Sequence, residues 1–417
     1  MKLSKFTIRE LILFLIALIF IFQNLFELER PVFLYFDETV SLLAIIYYFI
    51  KLLRDKRTDY EAFPIFILMN ALIILGLASN YLNSIQHNFF IIMVDLFSNF
   101  KFLFLFLGLN DFLSNLKTIE VERIIIRLGI VVKIYTAVLF VFSFLNLFVD
   151  IGMYQEYRFG LRTFSFIFGT PGQVINLSIA ILIILLLDRF CSNRKNTFYL
   201  TLVLFVILST LKSRAFVITA LFIILYQTFV LEKKVNPKMR FVTIIAFCGL
   251  VGFSRFKIYF LSSNTPRQTL FLNGIKVMRA YFPLGSGFAT YGSDSAAKYY
   301  SKLYYQFGYH LRYGMNPSSH LFLNDTFWPM IFAQFGFFGL IIFILLMINY
   351  FKLLIKNLSK TVPTVRLAVF FYIFNVVLSS IQSSYPGTNS MVITTFFITF
   401  AIVISKRKQF EGGLNDY

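Results

Sequence analysis

Residues 266–328 read PRQTLFLNGIKVMRAYFPLGSGFATYGSDSAAKYYSKLYYQFGYHLRYGMNPSSHLFLNDTFW, a polar, tyrosine-rich interval in a chain that is otherwise close to continuous hydrophobic helix. It holds six Lys or Arg, eight Tyr, two His and two Asp around a centre punctuated by Pro and Gly. With its flank it makes a connection of 68 residues from Leu261 to Trp328, and connections of that length are usually functional. No membrane anchor requires such a mixture. The site is therefore expected here, and the apolar remainder is expected to hold it.

That remainder fixes the class. The chain is 58% hydrophobic and 14% charged, with a mean hydropathy of +0.75, which excludes a water-soluble globule of this length. An all-α polytopic membrane protein is expected, a single integral domain over residues 1–417. A net charge of +19 would point to nucleic acid in a soluble chain, but here the charge must first be sorted by side of the membrane. No nucleic-acid partner is expected. Lys2, Lys5 and Arg9 precede a long apolar run without a small-residue cleavage site, so the segment reads as a retained first helix. Cys191 and Cys248 give no disulfide framework or zinc spacing, and no Asp-x-Asp or His/Cys cluster offers a ligand set. No metal and no cofactor are expected.

Apolar runs long enough to cross roughly 30 Å of hydrocarbon fall near 9–26, 36–53, 62–81, 89–108, 128–149, 173–190, 197–211, 215–231, 241–258, 329–350, 367–384 and 391–405. That predicts about twelve helices with both termini on one side, and a short tail at 406–417 that is disordered from Gln409. The connections on the amino-terminal side, with the two ends, carry 24 of the 39 basic residues. Basic loops stay in the cytoplasm, which places both termini there and the 150–173 and 261–328 loops outside. Lys101 and Lys133 lie within spans and are expected to snorkel inward. Asp95, about two turns below the outer surface, is expected to face a cavity or a partner.

Thirteen basic residues then remain on or near the outer side against the insertion bias: Arg30, Arg158, Arg162, Lys212, Arg214, Arg255, Lys257, Arg267, Lys276, Arg279, Lys298, Lys302 and Arg312. Interfacial snorkelling accounts for any one of them. As a set they point to an anionic ligand, since guanidinium forks match phosphate oxygens two at a time. Arg158 and Arg162 are four apart and, on a helix, would grip one anion together; the alternative is an interfacial turn with two solvated arginines. Lys212 and Arg214 bracket a serine at a three-residue tip, either a compact positive pole or a lipid anchor.

Within the long loop, Thr265-Pro266 has the form of a helix start. Leu270, Phe271, Gly274, Ile275 and Met278 follow at helical spacing, so an amphipathic helix along the interface is expected with Arg267, Lys276 and Arg279 exposed. Gly285, Gly287 and Gly292 permit close backbone approach and an amide nest for phosphate or sugar oxygens, or form an ordinary turn. Tyr299, Tyr300, Tyr304, Tyr305 and Tyr309 form an aromatic row that suits sugar binding, the alternative being a membrane interface. His320 and Asp325, just before Trp328-Pro329, are candidate proton acceptors, capping and structural roles being the alternative.

These features resemble the O-antigen polymerase and ligase superfamily, the Wzy-like and WaaL-like membrane proteins that handle polyprenyl-diphosphate-linked glycans. The resemblance rests on RFGLRTFSFIFGTPG, LSTLKSRA, and PLGSGFATYGSDSA through HLFLNDTFWPMIFAQFGFFG, and spans roughly residues 150–345. It implies a metal-independent glycosyltransferase that joins undecaprenyl-diphosphate-type repeat units, for O-antigen, capsule or exopolysaccharide, outside the cytoplasmic membrane. A flippase and a chain-length regulator of the same pathway would be partners beside the lipid bilayer. The family's Arg-x10-Gly spacing is met by Arg158 and Gly169, but not from Arg267 or Arg279, which land on Met278 and Thr290. The resemblance assigns diphosphate binding to Arg158 and Arg214, with Arg162 and Arg267 assisting; Lys212 and Arg279 join them as substrate-binding candidates from their outer placement. Gly285, Gly287, Tyr300 and Tyr304 would bind substrate, and Asp325 or His320 would act as base. The sister reaction, ligation of finished glycan to another acceptor, and a lipid-linked oligosaccharide flippase are the alternatives. A flippase would instead line a central cavity with charges and show repeat symmetry with short loops.

Overall fold

The computed structural model describes residues 6–55, 61–231, 242, 265–356, 358 and 363–413. The span expected at 241–258 lies outside these residues, Val242 apart, as do Arg255, Lys257 and Cys248. Among the described residues, nine helices are long and apolar enough to cross a membrane. The first five are α1 (Ile8–Glu29), α2 (Phe36–Asp55), α3 (Phe63–Asn83), α4 (Phe89–Ser114) and α5 (Thr118–Phe148). A two-stranded hairpin, β1 (Tyr154–Arg158) and β2 (Leu161–Phe164), precedes α6 (Pro171–Ser192). Two shorter apolar helices follow, α7 (Thr197–Ser209) and α8 (Ser213–Phe229). Beyond α9 (Pro266–Ala280), α10 (Asp294–Lys298) and α11 (Lys302–Gln306) come α12 (Phe327–Lys356), α13 (Pro363–Gln382) and α14 (Asn389–Gly413).

Local sequence sets the ends of these helices. Thr7 and Glu10 close a capping box on α1, and the Asn88 side chain accepts from the amides of Phe90 and Ile91 at the start of α4. Proline occupies the first turns of α3, α6 and α9, where no amide donor is needed. The α6 helix is buried without a break from Leu177 to Asp188, as expected of a helix apolar all round. It is the centre of the bundle, against α5, α7, α13 and α14, while α4 packs along α2 and α14. Although the sequence predicts a disordered tail from Gln409, α14 runs on to Gly413. Lys406 bonds Glu61 at 3.1 Å and Arg407 donates to the Leu113 carbonyl at 2.8 Å.

Two intramembrane lysines depart from expectation. Lys101 does not snorkel but meets Asp37 at 2.6 Å and Glu38 at 3.5 Å on the first turn of α2. Lys133 meets Asp188 at 2.6 Å, and Asn196 also donates to that carboxylate. A charge held among packed helices is stabilised by a nearby countercharge, and both lysines have one within reach.

The long loop folds into a cap with its own small core of Leu270, Val277, Tyr291, Tyr304, Tyr309 and Leu323. As predicted, α9 starts at Thr265-Pro266, the Thr265 hydroxyl accepting from the Gln268 amide. Rather than lying free along an interface, it docks on α12, with Gly274 against Phe332 and Pro329. Between α9 and α10 the chain dips between α3, α4 and α12. Ser79 and Asn83 both donate to the Gly285 carbonyl. Asn80 brackets Phe288, accepting from its amide at 2.7 Å and donating to its carbonyl at 3.0 Å. The amides of Ser286 and Gly287 reach the Ala333 and Gln334 carbonyls at 2.9 Å. Those carbonyls are free because α12 kinks at Gly336 (φ 65°, ψ −161°), a conformation glycine adopts without a Cβ penalty. Gly285 (φ +84°) abuts Gly336 backbone to backbone, so neither position has space for a side chain. The sequence expectation of close backbone approach at the glycines is met here.

Candidate functional site

The 150–173 segment is a β-hairpin and not the helix that the Arg158/Arg162 spacing allowed. Phe159 (φ +53°) and Gly160 (φ +76°) form its two-residue tip, the backbone pattern that matches strand twist in tight hairpins. Arg158 pairs with Leu161 and Tyr157 with Arg162; because side chains alternate along a strand, the two arginines leave opposite faces. Arg162 lies over the rings of Tyr154 and Tyr157 and donates to the Tyr157 hydroxyl at 3.1 Å. A shared grip by Arg158 and Arg162 on one anion is thus corrected by the strand geometry.

Arg158 instead joins Lys212. Both contact the same oxygen of Glu156, Arg158 through Nη2 at 2.9 Å and Lys212 through Nζ at 2.7 Å. The Lys212 hydrogen bond, reinforced by the charge of Arg158, holds the Glu156 carboxyl below the ordinary glutamate range. Two residues on, at the first turn of α8, Arg214 turns into the bundle. Its Nη2 donates to Asn375 Oδ1 at 3.3 Å, and its guanidinium lies 5.4 Å from the Tyr385 ring. Among the described residues no carboxylate pairs with Arg214. Two cations thus share the Glu156 carboxylate, and Arg214, two residues along from Lys212, is held by an amide and a ring instead, leaving an excess of positive charge suited to an anion.

Tyr385 belongs to the 3-10 turn Tyr385–Gly387 between α13 and α14. Its near neighbours Ser384 and Gly387 share a small cleft with Asp95, Asn99, Ser293 and Asp294. Asp95 accepts from the Ala289 amide at 2.6 Å, so the partner expected for this carboxylate is the dipping loop. Asn324 donates to Asp294. Phe327 and Met330 line the cleft beside these polar groups, and its volume of about 20 Å³ has room for a water rather than a sugar.

The other expected site residues fall into separate places. Arg267 is bound to Asp325 at 2.7 Å, which ties up the carboxylate proposed as a base. His320 is exposed, and among the described residues no hydrogen bond or ion pair is made by its imidazole. Arg279 and Lys276 are exposed on α9, near Arg312, whose Nη1 donates to the Thr269 hydroxyl at 2.8 Å. The amide nest expected at Gly285 and Gly287 is corrected: their amides already donate to the Tyr281 and Gln334 carbonyls, and the Gly292 amide to the Tyr304 hydroxyl.

The tyrosine row is likewise divided by burial. Tyr304 and Tyr309 are fully buried, and the Tyr309 hydroxyl meets that of Tyr291 at 2.8 Å. Tyr300 donates to the Met315 carbonyl at 2.9 Å, and burial pushes its hydroxyl up to about 12. Tyr300 and Tyr304 therefore hold the cap together, whereas Tyr299 and Tyr305 are exposed. Sequence reasoning missed Glu156, Asn375, Tyr385 and Asp294. Only Glu156 left a local signal, a carboxylate two residues before Arg158.

The described residues are those of an all-α polytopic membrane protein, with one small hairpin and a loop folded into a cap among them. Set beside protein-family models, curated proteins and solved structures, the chain matches none of them.

Proposed function

We propose that this chain is a Wzy-like polysaccharide polymerase that joins polyprenyl-diphosphate-linked repeat units outside the cytoplasmic membrane, with both termini cytoplasmic. An acceptor sugar hydroxyl attacks the anomeric carbon of the donor, the carbon–oxygen bond to the diphosphate breaks, and polyprenyl diphosphate leaves with the electron pair. Arg158, Lys212 and Arg214 meet the charge growing on that leaving group, with Arg267 and Arg279 on the cap as further contacts. Fixed cations at a developing charge stabilise the transition state more than the ground state. Asp325, once released by Arg267, or His320 accepts the acceptor's proton.

The observation that carries the proposal is the sharing of the Glu156 carboxylate by Arg158 and Lys212, with Arg214 two residues along from Lys212 and, among the described residues, without a carboxylate of its own. Glycan length on a gel tests it, from cells lacking the gene and complemented with wild type or Arg158→Ala at equal membrane abundance. Loss of the polymer ladder with single repeat units still displayed outside is the expected result. Lipid-linked units held on the inner face would indicate a flippase, full-length polymer retained on its lipid a ligase, and a normal ladder would overturn the proposal.

A further inference from the structure

The β1–β2 hairpin is rooted beside the last turns of α5 and not beyond them. Asn146 Nδ2 is 3.5 Å from the Arg162 carbonyl oxygen, and just after β2 the Phe166 ring is 5.9 Å from that of Phe142. From Leu128 to Phe148, α5 carries one charge, Lys133; at about 1.5 Å per residue this stretch is about 30 Å long, the thickness of the hydrocarbon. Its last turns therefore stand at the hydrocarbon edge, and Phe144, Leu145 and Phe148 are exposed there. The root of the hairpin is fixed at that depth, with Thr163 and Phe164 buried. Its end is uncovered: Tyr157 is 56%, Phe159 84% and Leu161 42% exposed.

Tyr157 and Leu161 belong to opposite faces, since Tyr157 pairs with Arg162 and Leu161 with Arg158. The apolar part is thus the whole end of the hairpin, a shape for insertion and not for laying one face on a partner protein. Phe159 also holds a left-handed backbone (φ +53°), where asparagine or glycine sits easily and a bulky residue is an outlier. In water both the strain and the unburied ring count against phenylalanine, whereas in hydrocarbon the ring is removed from water. Arg158 and Arg162 flank the tip, and their long stems can cross the interface while the guanidinium groups stay among the headgroups. We propose that Tyr157, Phe159 and Leu161 form a finger inserted among the acyl chains of the bilayer leaflet at that end of α5. With the finger in place, Arg158 and Lys212 stand at the depth of lipid phosphates, where the diphosphate of a lipid-linked substrate also lies; this consequence rests on the polymerase proposal, the insertion does not.

The test uses the full chain in lipid nanodiscs. Because the chain has one tryptophan, Phe159→Trp in a Trp328→Phe background puts a single indole at the tip. Its emission is read with lipids brominated on their acyl chains and with aqueous iodide. The finger predicts blue-shifted emission, strong loss in the brominated nanodiscs and little loss to iodide. A red-shifted indole quenched by iodide and spared by brominated lipid would overturn it, and so would one reached by neither, which would mean cover by a second copy of the chain. Phe159→Asp, which sets a charge in hydrocarbon, should lift the hairpin and speed amide hydrogen exchange across residues 154–164. It needs no change at Trp328, so it decides the matter if that background does not fold, and unchanged exchange would overturn the insertion. Quenching by brominated lipid, in a protein whose loss leaves the glycan ladder intact, would keep the finger and remove the polymerase.

Discussion

Replacing Gly285 with alanine should release the dipping loop from the bundle. Alanine at φ +84° carries a left-handed backbone cost of about 1–2 kcal/mol. Its Cβ would meet the Gly336 amide and the Gln334 carbonyl, which are backbone atoms that cannot rotate away; overpacking of this kind costs about 1–3 kcal/mol. The expected destabilisation is therefore about 2–5 kcal/mol, before any loss at the Ser79 and Asn83 bonds to the Gly285 carbonyl. Trp328, the chain's one tryptophan, lies at the start of α12 against Phe343 and reports on this region. Denaturant unfolding in detergent micelles, followed by its emission, measures the change. Gly172→Ala is the control, since nothing lies within 4 Å of a Cβ placed there. A Gly285→Ala protein that unfolds within about 0.5 kcal/mol of wild type would refute the backbone contact between the loop and α12.

Tyr304→Phe should lower stability by about 1–3 kcal/mol in the same titration, because the buried Gly292 amide loses its acceptor. Lys101→Met should destabilise by about 3–5 kcal/mol by stranding Asp37, and the double variant Lys101→Met, Asp37→Leu should recover most of that loss. For Glu156 the folded carboxyl titrates below its ordinary value of 4.5, so its contribution is full above that pH and fades as pH falls through the folded value. The difference in melting temperature between wild type and Glu156→Gln should therefore shrink towards zero on acidification below pH 4.5, and a difference constant with pH would count against the Arg158–Glu156–Lys212 cluster.

Apolar spans were legible because a 20-residue hydrophobic run has one physical use, and α1 to α6 and α12 to α14 stand where the runs predict. The hairpin was not, since YQEYRFGLRTF carries its arginines at helical spacing and its Phe-Gly tip lacks the usual Asn or Asp signal. The glycines of PLGSGFATYG announced close backbone approach, but which backbone they approach depends on the kink at Gly336, about 50 residues further on. Tyrosine content alone cannot separate a sugar platform from a packed cap; the hydroxyl bonds of Tyr291, Tyr304 and Tyr309 are what separate them. At the candidate site, Lys212 and Arg214 were visible as surplus outer charge. Asn375, 161 residues from Arg214, was one polar residue among many in an apolar helix, and only the fold brings the two together.

The most direct test of the central claim is reconstitution of the purified chain in liposomes with a short lipid-linked repeat unit, measuring released polyprenyl diphosphate together with glycan length. Wild type should release one diphosphate for each linkage formed and continue to do so in the presence of a chelator, while Arg214→Ala should lose both products together. Transfer of lipid-linked units across the bilayer without diphosphate release, or glycan growth undiminished by Arg214→Ala, would contradict it.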